Sequence, residues 1–87
     1  MRYRTLSNPD LTPREKEIME LVIYGYNNPK ISEILSVSNH TTKAHLLKIY
    51  EKMAVTNRLE ATLKYIVSFY DSKQKIDEII KNNFKKM

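Results

Sequence analysis

The 87-residue chain contains no cysteine, a single glycine and three prolines. Without thiols it can form neither a disulfide nor a thiolate metal site, so packing alone must hold its small core. One glycine excludes a glycine-rich phosphate loop. No apolar run approaches the roughly eighteen residues that span a bilayer, and no secretory apolar segment is present. The expectation is a soluble, cytoplasmic protein with no membrane contact. Strand-like alternation is never long enough to matter, and no internal repeat or low-complexity segment occurs. No helical face carries paired carboxylates, and no nucleophile has a base at usable spacing, so neither catalysis nor a cofactor is expected. His40 and His45 lie five residues apart on different faces, without a carboxylate spaced to join them, which argues against a metal site.

What is present is positive charge. Fifteen Lys and Arg face ten Asp and Glu, for a net charge of +5 and a pI near 9.5, which suits a polyanionic partner. The excess concentrates between Ser38 and Met53, where Lys43, Lys48 and Lys52 oppose Glu51 alone and both histidines join them.

The helical punctuation is clear. Thr12-Pro13-Arg14-Glu15 is a capping box with proline at the first helical position. Ile18, Met19, Leu21, Val22 and Ile23 follow, and Gly25 stands where a left-handed cap should end the first helix. Asn28-Pro29 reads as the N-cap and first residue of a second helix running to about Leu35, with Ile31, Ile34 and Leu35 at helical spacing. Ser36-Val37-Ser38 interrupts, and Ser38 can cap a third helix from Asn39 to about Met53. Two helices joined by so short a turn must cross steeply, the helix-turn-helix arrangement that presents its second helix to the DNA major groove. Asn57-Arg58-Leu59-Glu60 offers a second capping box, opening a fourth helix whose apolar positions are Leu59, Leu63, Ile66, Val67 and Tyr70. Beyond it, Asp71-Ser72 either breaks the chain before a fifth helix capped by Asp71-x-x-Gln74 or is absorbed into one long helix. Both phasings fit Ile76, Ile80 and Phe84. The chain therefore reads as an arm over 1–10, with Arg2, Tyr3 and Arg4, a helix-turn-helix domain over 11–70, and a helical extension over 71–87.

At about 100° per residue, Thr42, Leu46, Ile49 and Met53 line the inward stripe of the third helix. His40, Thr41, Ala44, Leu47, Lys48 and Glu51 form the opposite arc, with Lys43 and His45 on its flanks. Thr41, Ala44 and Leu47 are the candidates for base edges, the latter two through apolar contact of the kind a thymine methyl accepts. Lys43 and Lys48 suit phosphate oxygens or guanine edges. Lys52, nearer the inner flank, reads as a snorkelling surface residue. Helix-turn-helix folds also serve protein contacts, so a small helical interaction module acting on a transcription complex is the alternative. Such a module would be expected to show a larger apolar patch than Ala44 and Leu47 provide.

The ordered set Leu11-Thr12-Pro13-Arg14-Glu15, Gly25, Asn28, Ile31, Leu35-Ser36-Val37-Ser38, Thr41-Thr42-Lys43-Ala44-His45, Lys52-Met53, Val55 and Arg58-Leu59-Glu60-Ala61 resembles the LuxR-type helix-turn-helix, including its NarL/FixJ-type and short spore-regulator members. The resemblance runs from Leu11 to Ile66. It implies an all-α, four-helix domain that binds double-stranded DNA as a homodimer through its fourth helix, with RNA polymerase or another regulator as a further partner. Carried onto this chain, Lys43, Ala44 and Leu47 occupy the groove-contacting positions, and Ser38 and Thr41 the polar helix start where phosphates are met. Glu15 and Arg58 occupy positions able to form an internal ion pair. The chain departs from the family pattern at Pro29-Lys30, at Ser32 in place of a small Ala, at Thr42 in place of Val, at Leu47 in place of a polar reader, and at Lys48 in place of Asn. Met1 and the tail beyond the fourth helix favour a stand-alone regulator over one domain of a longer chain. The tail, with Ile76, Ile79, Ile80 and Phe84, either enlarges the dimer contact, packs back on the domain, or is an ordinary frayed terminal helix; its residues alone leave the three readings open.

Overall fold

A computed structural model describes residues 10–70 and 73–85. The arm over 1–9, the Asp71 cap and the last two residues lie outside the described residues, as does the side chain of Phe84. Five helices follow in order: α1 Pro13–Ile23, α2 Asn28–Leu35, α3 Asn39–Met53, α4 Arg58–Phe69 and α5 Lys73–Lys85, with no strand among the described residues. Of the two phasings open for the C-terminal region, the broken one is adopted. Tyr70 leaves the helix in an extended conformation and directs its hydroxyl to Glu20 on α1, a tertiary bond that a continuous helix would forgo.

Side-chain caps start the first four helices. Thr12 accepts the Glu15 N–H at 3.1 Å while the Glu15 carboxylate accepts the Thr12 N–H at 2.9 Å, the reciprocal box read from sequence. Ser38 caps α3 by accepting the Thr41 N–H at 3.0 Å. Two expectations shift by one residue. Asn27, rather than Asn28, caps α2 by accepting the Lys30 N–H at 3.0 Å. At α4, Asn57 accepts the Glu60 N–H at 2.8 Å, but the Glu60 carboxylate reaches past Asn57 to the N–H and hydroxyl of Thr56. Those two bonds hold the exposed Glu60 carboxyl below the usual carboxylate range.

The helix ends share a device. Gly25, Ser36 and Ala54 are left-handed, with φ of 95°, 58° and 57°. In each case the residue's own N–H and that of the next residue fold back on the helix, as with Gly25 N–H to Val22 O at 3.0 Å and Tyr26 N–H to Leu21 O at 3.1 Å. Glycine takes this conformation without strain, whereas Ser36 and Ala54 carry a Cβ that opposes it.

The core gathers Ile18, Met19, Val22 and Ile23 of α1, Ile31 of α2, Leu46, Ile49 and Met53 of α3, and Ala61 and Tyr65 of α4. Polar ties lock the helices around it. Glu20 accepts hydroxyl bonds from both Tyr65, at 2.9 Å, and Tyr70, which fastens α4 to α1. Burial, reinforced by the Glu20 carboxylate, raises the pKa of both phenols far above the ordinary tyrosine value. Lys64 donates to the carbonyl of Met53 at 2.6 Å, satisfying an orphan acceptor at the end of α3.

Candidate nucleic-acid interface

The helix-turn-helix is built by α2 and α3 around the Ser36–Ser38 turn. Its crossing resolves two departures read separately from sequence. Thr42, on the inner face of α3, is fully buried, and Ser32 lies opposite it on α2. Their hydroxyl oxygens are 2.6 Å apart, and Ser32 Oγ also donates to the Asn28 carbonyl at 2.9 Å. With the single Ser32 proton directed to the Asn28 carbonyl, the nearer of its two backbone acceptors (the Ser38 carbonyl is 3.5 Å away), Ser32 accepts from Thr42. The relay Thr42 to Ser32 to Asn28 replaces apolar contact at the crossing and pins the second helix against the first.

The outer face of α3 is free of such ties. Leu46, Ile49 and Met53 point into the core with Thr42, while His40, Lys43, Ala44, Leu47, Lys48 and Glu51 are exposed and Thr41 is half-buried. Leu47 is 66% exposed, so it does not pack against a neighbouring helix. Ser38 donates its hydroxyl proton to Thr41 Oγ1 at 3.0 Å, leaving the pair at the exposed start of α3. The ion pairs among the described residues are Arg14–Glu17, Lys30–Glu33 and Lys52–Glu15, so no described carboxylate neutralises Lys43 or Lys48. The structure thus gathers Ser38, His40, Thr41, Lys43, Ala44, Leu47 and Lys48 on one outward surface, with Lys52 turned away from it.

Lys52 is in fact the partner of Glu15. Its ammonium lies 2.9 Å from the buried carboxylate, bridging α3 to the start of α1. Burial pushes the Glu15 carboxyl up. The Lys52 bond and charge, with the Thr12 N–H, outweigh that and hold it below the usual carboxylate range. The ion pair expected between Glu15 and Arg58 is therefore not formed. Arg58 instead donates to Asn28 Oδ1 at 2.8 Å and to the Tyr26 carbonyl at 2.6 Å, tying the start of α4 to the loop that leads into α2. The reason is one of reach: Lys52, one position before Met53 of the inner stripe, brings its ammonium to the start of α1, whereas Arg58, the first residue of α4, lies against the α1–α2 loop at the other end of α1. Beside Leu47, a depression of about 220 Å³ is lined by Lys43 and Arg58 together with Asn28, Leu46 and Tyr50, and it contains no acidic side chain. Arg58 is the residue of this surface that sequence reading assigned elsewhere. Its signal was available only as a cation one position after a helix cap.

Residues 9–65 match the family model described as bacterial regulatory proteins, luxR family. The chain is 40% identical over 60 residues to the CsgBAC operon transcriptional regulatory protein of Escherichia coli strain K12, covering 69% of this chain and 28% of that protein. It is 46% identical over 55 residues to the transcriptional regulatory protein DesR of Bacillus subtilis strain 168, covering 63% and 27%. It is 41% identical over 56 residues to the transcriptional regulatory protein DegU of Brevibacillus brevis, covering 64% and 24%. The aligned part thus spans about a quarter of the length of these relatives. No solved structure matches the chain. With its capped α2–α3 unit, buried inner stripe and matched residues 9–65, the chain belongs to the luxR family of bacterial regulatory proteins.

Proposed function

We propose that the chain is a sequence-specific, double-stranded DNA-binding transcriptional regulator that inserts α3 into the major groove. The observation that carries this reading is the outward face of α3. It sets two lysines without carboxylate partners among the described residues beside an exposed leucine and an exposed alanine. In water an exposed leucine contributes nothing, but against a thymine methyl it supplies base discrimination that lysines on phosphates cannot. Lys43 and Lys48 take phosphates or guanine edges, Ser38, His40 and Thr41 meet the backbone at the helix start, and Ala44 and Leu47 read bases. The relatives named as transcriptional regulatory proteins support the same reading.

The companion proposal is a homodimer through α4. Leu59, Leu63 and Val67 fall four residues apart and are 68%, 56% and 56% exposed, an apolar stripe facing away from the core. A two-fold pair would present two copies of α3 to half-sites about one helical turn apart. Work on the duplex implies the cytoplasm, and no described helix is long and apolar enough to cross a membrane. Contact with RNA polymerase or another regulator would follow DNA binding, and nothing in the interface calls for catalysis.

The test is selection of bound duplexes from a random pool with the purified chain at near-physiological salt. Enrichment of an inverted repeat is expected. Salt-sensitive binding without enrichment would remove sequence specificity, and the absence of binding would turn the reading toward a protein-interaction module.

A further inference from the structure

Ser32 and Thr42, two departures from the family pattern, do more than tie α2 to α3. Their relay ends on the Asn28 carbonyl, and the side-chain oxygen of the same Asn28 receives the Arg58 guanidinium at 2.8 Å. Asn28 thus holds two helices at once, α3 through Ser32 and α4 through Arg58. The result is a continuous run of bonded side chains, Arg58, Asn28, Ser32 and Thr42, from the first residue of α4 to the inner face of α3. With Ala and Val at positions 32 and 42 the run would stop at Asn28, because neither side chain can donate or accept.

Both ends of this run are anchored. Arg58 also grips the Tyr26 carbonyl at 2.6 Å, and its planar fork is oriented by the two acceptors together. The loop carrying that carbonyl is itself fastened. Helix α5 packs back on the domain through buried Ile79, and its Asn82 and Asn83 donate to the Tyr24 and Ile23 carbonyls at 2.6 and 2.9 Å. Pro29, a third departure from the family pattern, fixes φ in the first turn of α2, next to Asn28. At the other end Thr42 is fully buried, and Thr41, Lys43 and Ala44 beside it belong to the outward surface. A helix with its side chains has a radius of about 5–6 Å, so turning α3 by about 10° moves its outer side chains by about 1 Å. That is enough to spoil a base contact, and the Thr42–Ser32 bond opposes it.

We infer that Arg58 is a positioning residue for DNA reading: through Asn28, Ser32 and Thr42 it holds α3 at the rotation that suits base contacts, without touching the duplex itself. This rests on the reading of α3 as the helix that enters the major groove, and deepens it. Arg58 and Lys43 line the same depression, so a phosphate contact is the rival role for Arg58. Hydrogen bonding favours positioning. Both terminal nitrogens of the half-buried Arg58 already face acceptors inside the protein, whereas exposed Lys43 has no carboxylate partner among the described residues. Arg58 therefore acts on discrimination between sequences, and Lys43 on affinity for any duplex.

The test compares the full chain, R58K, S32A/T42V and S32A/T42V/R58K on the duplex that selection returns and on a scrambled duplex. Fluorescence titrations are run across a range of salt, well below each Tm. R58K keeps the charge but replaces the rigid fork with one flexible ammonium. The expected result is that R58K lowers the ratio of selected to scrambled affinity by about tenfold, while scrambled affinity and the salt slope stay as in wild type. S32A/T42V cuts the far end of the run at little cost in stability and loses a similar factor, and adding R58K to it costs little more. A wild-type ratio in R58K or in S32A/T42V overturns the positioning role, so the test survives poor folding of R58K. A loss shared equally by both duplexes makes Arg58 a phosphate contact instead. Losses that multiply in full in the triple variant show that the two ends act independently, which also overturns it. If the wild-type chain prefers no duplex, the sequence-specific reading itself fails and the positioning role falls with it.

Discussion

The buried hydroxyl pair at the helix-turn-helix crossing offers a sharp test, because its two members should behave oppositely alone and together. In S32A, Thr42 keeps a fully buried hydroxyl whose acceptor, 2.6 Å away, is gone. Stranding a buried polar group costs about 1–3 kcal/mol. In T42V the shape is kept, and Ser32 still donates to the Asn28 carbonyl at 2.9 Å. Only one net bond is lost, at about 0.5–1.5 kcal/mol, and the added methyl offsets part of it. In S32A/T42V both partners are replaced by apolar groups, which is close to neutral. The double variant should therefore be more stable than S32A, with a coupling of about 1–2 kcal/mol between the sites. For a domain of this size about 1 kcal/mol moves Tm by roughly 4–8 °C. Urea and thermal unfolding followed by circular dichroism at four corners of the cycle would read it. Strict additivity of the two single changes would refute the relay. DNA affinity measured on the same four proteins would show whether the relay also holds α3 in its reading orientation.

Stability should fall as pH drops through and below about 4.5, the ordinary Glu value, because the folded Glu15 carboxyl is held lower and the unfolded state then binds more protons. K52M removes the main partner that lowers it, so acid unfolding followed by circular dichroism should begin at higher pH, and an unchanged acid limb would dismiss the Lys52–Glu15 pair as a stabiliser. A54G should raise Tm, since glycine relieves the left-handed strain at φ 57° by about 1 kcal/mol, less a smaller entropic loss in the unfolded chain; a lower Tm would show that the Ala54 methyl packs usefully. K43A should weaken binding to all duplexes and reduce the salt slope by ~0.9 in log K per log salt, whereas an unchanged slope in a fluorescence titration would remove Lys43 from the phosphates. R58A should lower stability by about 1.5–3 kcal/mol through loss of charged bonds to Asn28 and the Tyr26 carbonyl, and a wild-type urea midpoint would show those bonds to be dispensable.

Local chemistry made much of this fold legible in the amino-acid sequence. The Thr12–Glu15 box, the Ser38 cap and the left-handed Gly25 each involve groups within five residues, so their geometry follows from helix termini alone. The inner stripe of α3 was equally readable, because a helix of 3.6 residues per turn forces Thr42, Leu46, Ile49 and Met53 onto one side, which left the outer residues as the candidate surface. Periodicity was ambiguous where a helix has two apolar sides. On α4 the repeat through Leu59, Leu63 and Val67 is as regular as any, yet Ala61 and Tyr65 are the residues inside. Only the packing against α1, where Glu20 receives the hydroxyls of Tyr65 and Tyr70, turns that face inward and ends the helix before α5. The same is true of charge and polarity at long range. Nothing local tells Glu15 to choose Lys52 over Arg58, or tells Ser32 and Thr42 that each is the other's partner. Sequence spacing determined the helices, their caps and the outward arc of α3. The choice of partners across helices was left to tertiary structure, because a hydrogen bond or ion pair depends on a few ångströms of separation that spacing along the chain does not encode.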